Sequence, residues 1–539
     1  MPASYPPSAR RLIASRSRRK TSERRRLKLP RLVLSAALAV VGTAFLAPVP
    51  AYAAVCTSTQ PSDFNGDGYS DAAVADPYAT VAGVSQAGRV VVFYGDGDGR
   101  IGEGERAHVR QGAGAVAGAP ETGDRFGYAI AIADINGDGC HDLVVGSPYE
   151  NVGASTDSGQ VQVVWGDPGG LGAGALSEQL TQLDFGEAVH AGDQFGYAVD
   201  ALDEVYQGGT GPPDSYALGI GAPGFDVAGQ NDAGWTAFVA ATDGGHVSMA
   251  ATENTPGVPG AAEAGDRFGS AISIGYLLGV GDVVDAAVGV PGEDVGDVVD
   301  AGCVAILADV YDAIVAGTGF GQNSPGVAGG AEAGDKFGRS LDTVESGPNT
   351  SYLVAGVPGE DVGAEANAGM VQVFTTINNR TELVPLVGLT QNSPGVTGAA
   401  EAGDLFGQDV EFAPPGPGNG TTRLAISAPF EDGTKVNSGA IWIFPLNNLN
   451  GETTYTQSSA GMPGGASAGD RFGDSLAVIR GVSETALLIG VPNDVQHSHG
   501  MVNVLPFGGA NKRAWIPGIG GVPGTGASQF GDALASSAD

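Results

Sequence analysis

AEAGDRFG, residues 262–269, returns almost unchanged as AEAGDKFG at 331–338 and AEAGDLFG at 400–407. The Phe-Gly pair at its end recurs with Phe at 126, 195, 268, 337, 406, 472 and 530, at spacings of 69, 73, 69, 69, 66 and 58. Self-similarity at a near-constant period marks a repeat architecture, and it decides the fold before any single element does. About 20 residues after each Phe-Gly comes a proline element: SP at 147, AP at 222, VP at 290, 357 and 491, and AP at 428, all but one after glycine. A glycine then opens an alternating apolar run, as in GQVQVVWG from 159, GCVAILA from 302 and GMVQVFT from 369. Alternation rich in Val, Ile and aromatics predicts half-buried strands, and no useful helix-period segment appears. The chain is expected to be all-β.

The two ends of the array are incomplete in complementary ways. Near the N-terminus lie a proline element, ADP at 75–77, and GRVVVFYG at 88–95, with no Phe-Gly before them. The C-terminus supplies SQFGDALASSAD, with no proline element after it. Six complete repeats plus one split unit predict a seven-bladed β-propeller whose ring closes by pairing the N- and C-terminal segments. Closure removes the exposed sheet edges of an open stack. The expected propeller spans 54–539, with the split blade formed by 54–112 and 520–539.

Before it, residues 1–53 hold a basic run and an apolar stretch, Leu32–Ala47, ending in small residues at Ala51-Tyr52-Ala53. That pattern predicts a cleaved secretory signal peptide. Its 16 apolar residues fall short of the roughly 20 that a spanning helix needs. Arg24-Arg25 hints at twin-arginine export, and the route stays open. The full chain carries a formal charge of −34; without the leader, 15 basic and 59 acidic groups leave −44. Such a surface repels nucleic acid and anionic lipid. It suits calcium, basic partners or plain solubility outside the cell. The three cysteines, Cys56, Cys140 and Cys303, allow at most one intramolecular disulfide; Cys56–Cys140 is one candidate, and the pairing stays open.

DFNGDGYSDAAVADP at 63–77 and DINGDGCHDLVVGSP at 134–148 place oxygen donors at alternate positions before a glycine and another Asp. Asp63, Asn65, Asp67, the Tyr69 carbonyl and Asp71 form one candidate set; Asp134, Asn136, Asp138, the Cys140 carbonyl and Asp142 form the other. Hard oxygen ligands at this spacing suit Ca²⁺, and two sites are expected. An EF-hand would need Glu at position 12, where Val74 and Val145 stand. A plain Asx-rich turn is the competing reading.

A repeat built as Phe-Gly, a D-x-[DN]-x-D-G-x-x-D loop and G-x-P resembles the FG-GAP repeat of integrin α-chain propellers and of exported bacterial proteins. The resemblance covers essentially all of the expected mature chain. It implies calcium-binding loops between paired strands and a partner-binding face, without the integrin leg domains or membrane anchor. Only the two loops above match residue by residue; Gly281-Asp282-Val-Val-Asp285 is an altered remnant. On the other face, Glu121/Asp124, Glu263/Asp266, Glu332/Asp335 and Glu401/Asp404, with Glu293-Asp294, Glu360-Asp361 and Glu431-Asp432, are expected to form an acidic ring.

The search for catalytic residues assigns none. Gly465-Ala-Ser467-Ala-Gly469 matches G-x-S-x-G, but Ser467 falls where sister repeats have Glu332 and Glu401. His497 and His499 are expected to lie in a solvated loop without carboxylate partners. The expected function is a secreted, calcium-stabilised, monomeric module for adhesion or for binding an extracellular protein or glycan, with the cell wall as an alternative location. The alternative is an extracellular hydrolase or lyase acting on cell-surface polymers from the propeller mouth.

Overall fold

The computed structural model describes Cys56 and residues 60–537, apart from 204–215, 243–244, 280–283, 311–316, 348, 450, 498 and 525–527. The expected leader, 1–53, and most of the loop remnant at 281–285 lie outside the described residues. Among those described, no helix is long and apolar enough to cross a membrane.

Seven antiparallel sheets follow one another along the chain: six of four strands and one of three. Ala129–Ala133, Asp142–Ser147, Gln160–Val164 and Glu178–Leu180 show the pattern, an up-and-down meander from innermost to outermost strand. The three-stranded sheet, Ala72–Asp76, Arg89–Phe93 and Arg106–Val109, gains its innermost strand from the far end of the chain through the bridge Val74–Leu534. The protein is a seven-bladed β-propeller closed by its two terminal segments.

The alternating runs are third strands, and they are more buried than their pattern suggests. Arg89–Phe93 and Gln160–Val164 are buried at every position. Each blade is packed between two neighbours, so both faces of its sheet belong to a core, and the polar half of the alternation faces another blade.

Phe-Gly is the joint between blades. All seven Phe side chains are fully buried. Phe126 forms a parallel bridge with Gly88, the glycine opening the previous blade's third strand, and Phe195, Phe268, Phe337, Phe406 and Phe530 do likewise on Gly159, Gly234, Gly302, Gly369 and Gly500. Gly88 sits at φ +81°, and a Cβ there would lie 2.3 Å from the Phe126 carbonyl oxygen. Only glycine accepts both the left-handed backbone and that approach. The glycine of the proline element is confined in the same way: a Cβ on Gly146 would meet the Gly196 oxygen at 2.1 Å.

Candidate functional site

The two candidate calcium loops have the same internal geometry. In the first, Asp63 Oδ1 accepts from the Gly66 N–H at 2.8 Å and Oδ2 from the Gly68 N–H at 2.8 Å. Asn65 Oδ1 accepts from the Asp67 N–H at 3.1 Å, and Asp67 Oδ1 from the Tyr69 N–H at 2.9 Å. Asp71 bonds the Phe64 and Gly95 N–H groups, both at 2.8 Å. The second repeats this bond for bond: Asp134 with Gly137 and Gly139 at 2.9 Å, Asn136 with Asp138, Asp138 with Cys140, and Asp142 with Ile135 at 2.9 Å and Gly166 at 2.7 Å. In each loop the side-chain oxygens accept backbone N–H groups, bonds that fix the turn and leave further carboxylate lone pairs open.

None of these six carboxylates joins an ion pair among the described residues. Burial, followed among the raising effects by Asp63 and Asp67, pushes Asp71 well above the usual carboxylate range. Burial pushes Asp134 up to about 6, with Asp203 and Asp138 adding to it. Asp63, Asp71 and Asp142 are buried without an ion-pair partner, and the hard oxygens of the two loops suit a calcium ion.

The second loop joins two antiparallel strands of one blade, Ala129–Ala133 and Asp142–Ser147, as expected. The first does not. It precedes Ala72–Asp76, while the strand beside that one comes from the C-terminus, so the Asp63–Asp71 loop is continuous with only one strand. The disulfide Cys56–Cys140, with Cα atoms 5.1 Å apart, anchors its entry. Cys56 donates its N–H to the Asp138 oxygen at 3.1 Å and leaves no room for a Cβ on Gly66. The His141 N–H reaches the Asp63 oxygen at 2.9 Å, so the loops of two adjacent blades form one bonded unit. Cys303 remains a free thiol.

The sequence reading passed over Asp203 on the next blade, because its role depends on contacts between blades. Asp203 accepts the Asp134 N–H at 2.6 Å and faces His141 Nε2 at 2.7 Å. Burial alone would lower the His141 pKa, but Asp203, Asp134 and Asp63 outweigh it and raise it.

At the opposite end of the innermost strands, the expected acidic ring divides in two. Asp124, Asp266, Asp335, Asp404 and Asp470 are buried and cap a turn, accepting the N–H three residues earlier; Asp335 takes the Glu332 N–H at 2.6 Å and Asp404 the Glu401 N–H at 2.7 Å. Asp294, Asp361 and Asp432 cap a second turn. Glu150, Glu360 and Glu431 receive a buried glutamine from the preceding blade, with Gln111 Nε2 at 2.7 Å from Glu150 and Gln391 Nε2 at 2.5 Å from Glu431. The exposed remainder is Glu121, Glu263, Glu332 and Glu401. Most of this acidity serves architecture, because a capping carboxylate satisfies orphan N–H groups at sharp turns.

Ser467 sits in the same capped turn, its N–H bonded to Asp470 at 2.6 Å, with no helix following. His497 corrects the expectation of an isolated loop histidine: its Nδ1 lies 2.9 Å from the buried Asp494 carboxylate.

The central cavity, about 380 Å³, is lined by the innermost strands of the blades. The residue after each Phe-Gly points the repeat toward this mouth, and here the repeat breaks: Tyr128, Tyr197, Ser270, Arg339, Gln408, Asp474 and Asp532 occupy equivalent places. Burial, then Asp474 and Asp76, pushes Asp532 up to about 7. Deeper in, Asp200 and Asp409 bond the N–H of Ile274 and Leu476 on the next blade at 2.7 Å, stitching the ring.

The FG-GAP repeat family model matches residues 57–93 and 126–164, the two segments that carry the candidate calcium loops. Phosphatidylinositol-glycan-specific phospholipase D of Rattus norvegicus is 36% identical over 113 residues, 20% of this chain and 13% of that protein. Integrin alpha-PS2 of Drosophila melanogaster is 31% identical over 108 residues, 19% of this chain and 7% of that protein. The matched region thus spans a small fraction of either relative. Among solved structures, the periplasmic gluconolactonase of Pseudomonas aeruginosa aligns at 12% identity with a TM-score of 0.41, covering 86% of this chain and 98% of that one. Joined to the Phe-Gly joints of a closed ring, the matched segments show FG-GAP repeats within a seven-bladed β-propeller, similar over part of its length to an integrin α chain.

Proposed function

We propose that the protein is a secreted calcium-binding propeller that acts outside the cell as an adhesion or interaction module for a protein or glycan. The observation that carries this reading is the pair of matching oxygen-donor loops, Asp63–Asp71 and Asp134–Asp142, bonded to each other across a blade boundary. Calcium there converts mutual repulsion among the loop carboxylates into coordination and fixes one end of the ring. The other end presents exposed Glu121, Glu263, Glu332 and Glu401 around a mouth of varied side chains, a surface suited to recognition. The test is retention of a partner from extracts of the producing cell's surface, run with calcium and with a chelator. Retention that vanishes with the chelator supports the reading; a folded, calcium-loaded protein that retains nothing counts against it.

A second reading is favoured by the mouth alone. Asp532, pushed up to about 7 by burial and by Asp474 and Asp76 against the opposing pull of Arg125 and Arg471, has the character of a general acid in a site that departs from the repeat. It would make the protein a hydrolase or lyase of surface polymers. Turnover of a polysaccharide or ester panel, abolished in Asp532→Asn, would favour it over the binding module.

A further inference from the structure

In five places a buried glutamine closes the gap between one blade and the next. Gln111 donates to Glu150, Gln182 to Asp193 at 3.0 Å, Gln322 to Glu360, Gln391 to Glu431, and Gln457 to Asp494 at 3.1 Å. Each Nε2 supplies the one donor that its partner carboxylate receives from the blade before. At the sixth equivalent place the residue is Glu253, in TENTPG at 252–257 against GQNSPG at 321–326 and TQNSPG at 390–395. The carboxylates opposite are the usual ones, Asp266 and Glu293, but the amide that should face them is gone.

Glu253 is 3% exposed, and its oxygens have no partner other than the Asp266 carboxyl; Glu293 Oε2 is buried and unbonded as well. One oxygen from each of Glu253, Asp266 and Glu293 lies within 4.8 Å of the other two. Two oxygens bound to one calcium ion at about 2.4 Å can stand at most about 4.8 Å apart. A single ion can therefore bridge any two of these side chains and reach the third with a small side-chain adjustment. No arginine, lysine or histidine forms an ion pair with the trio among the described residues. Burying several carboxylates together without a cation or donor is costly, which is the condition that selects a bound ion.

We propose that Glu253, Asp266 and Glu293 form a third divalent-cation site, of the calcium class, set between two blades at the end of the propeller opposite the Asp63 and Asp134 loops. The ion takes the place of the glutamine side-chain N–H group that ties the sister blades together. The site has no counterpart in the D-x-[DN]-x-D-G loops and stands independently of their occupancy.

The test is Ca²⁺ stoichiometry, by calorimetry and metal analysis, of the chelator-stripped full chain and its Glu253→Gln variant. The substitution restores the pair used elsewhere in the ring, so the variant should fold. The expected result is one equivalent of Ca²⁺ fewer in Glu253→Gln, whatever number the wild type binds, with the loop variants Asp67→Ala and Asp138→Ala each still carrying the Glu253 equivalent. Equal stoichiometry in wild type and Glu253→Gln would overturn the proposal. So would a melting temperature raised equally by Glu253→Gln with and without Ca²⁺ at unchanged stoichiometry, which would mean that Glu253 and Asp266 share a proton instead.

Discussion

Val74 and Leu534 form an antiparallel bridge, so the first strand among the described residues lies against the C-terminal segment. The Ala75 N–H donates to the Ala533 oxygen at 3.0 Å, and the Gly531 N–H to the Ala75 oxygen at 3.0 Å. Around this seam, Val74, Phe93 and Phe530 share one core with Leu488, Val504 and Trp515 of the preceding blade. Closure is thus a hydrophobic event as much as a hydrogen-bonded one, and Phe530→Ala should cost about 3–5 kcal/mol, as large-to-small changes in a packed core do. Removing residues 528–539 should abolish the single cooperative transition in thermal unfolding.

The same seam contains a buried ion pair, Arg89–Asp76 at 2.8 Å, whose Asp76 also accepts the Gln529 N–H at 3.2 Å. Asp76→Ala should destabilise by roughly 3–5 kcal/mol, because it strands a buried guanidinium. Chemical denaturation of the two proteins measures this; a change below 1 kcal/mol would place Arg89 in contact with solvent.

Loss of an inter-blade glutamine should also be felt. Gln322→Ala leaves the Glu360 carboxylate buried without its donor, a penalty of about 1–3 kcal/mol. The readout is the unfolding midpoint, with a surface change such as Glu332→Ala as a control expected to move it little.

Stability of the calcium-free protein should fall as pH rises through neutrality. Burial pushes Glu150, Glu360 and Glu431 up to about 7 from the ordinary glutamate value of 4.5. A carboxyl whose folded pKa is raised holds its proton more tightly in the folded state. Its contribution is complete below pH 4.5 and is lost as pH climbs through about 7. Melting in chelator should therefore occur at a higher temperature at pH 5 than at pH 8, and the reverse order would contradict the burial of these groups.

The repeat made most of this architecture legible from sequence. Phe-Gly, the proline element and the glycine before each alternating run are close contacts between blades, and contacts that tolerate only one residue type leave a mark in every copy. The split blade was readable because its two halves each lack what the other has. Contacts formed across blades by residues of varied type were not readable, such as Asp203 against His141 and the glutamine ties. Glu253 did leave a trace, as one Glu where five sister repeats have Gln, but its meaning required the burial of Asp266 and Glu293 beside it. The acidic ring was overcounted, because a carboxylate that caps a turn has the same sequence pattern as one that faces solvent.

The disulfide ties the two loops into one unit, and its loss should be felt at both. In a chain-entropy picture, closing the 84-residue separation between Cys56 and Cys140 contributes about 4.5 kcal/mol. Cys56→Ser should weaken Ca²⁺ binding at the Asp63 loop more than at the Asp134 loop, since the first has a strand on only one side to hold it. Calorimetric titration of the variant checks both affinities.

The most direct test of the calcium account is a Ca²⁺ titration of the chelator-stripped protein beside Asp67→Ala and Asp138→Ala, following stoichiometry and melting temperature together. Each substitution should remove one equivalent of Ca²⁺, and Asp67→Ala should lower the calcium-loaded melting temperature more, because its loop borders the seam. Wild-type stoichiometry and melting temperature in both variants would show that these loops are Asx-rich turns and that calcium does not hold this end of the propeller.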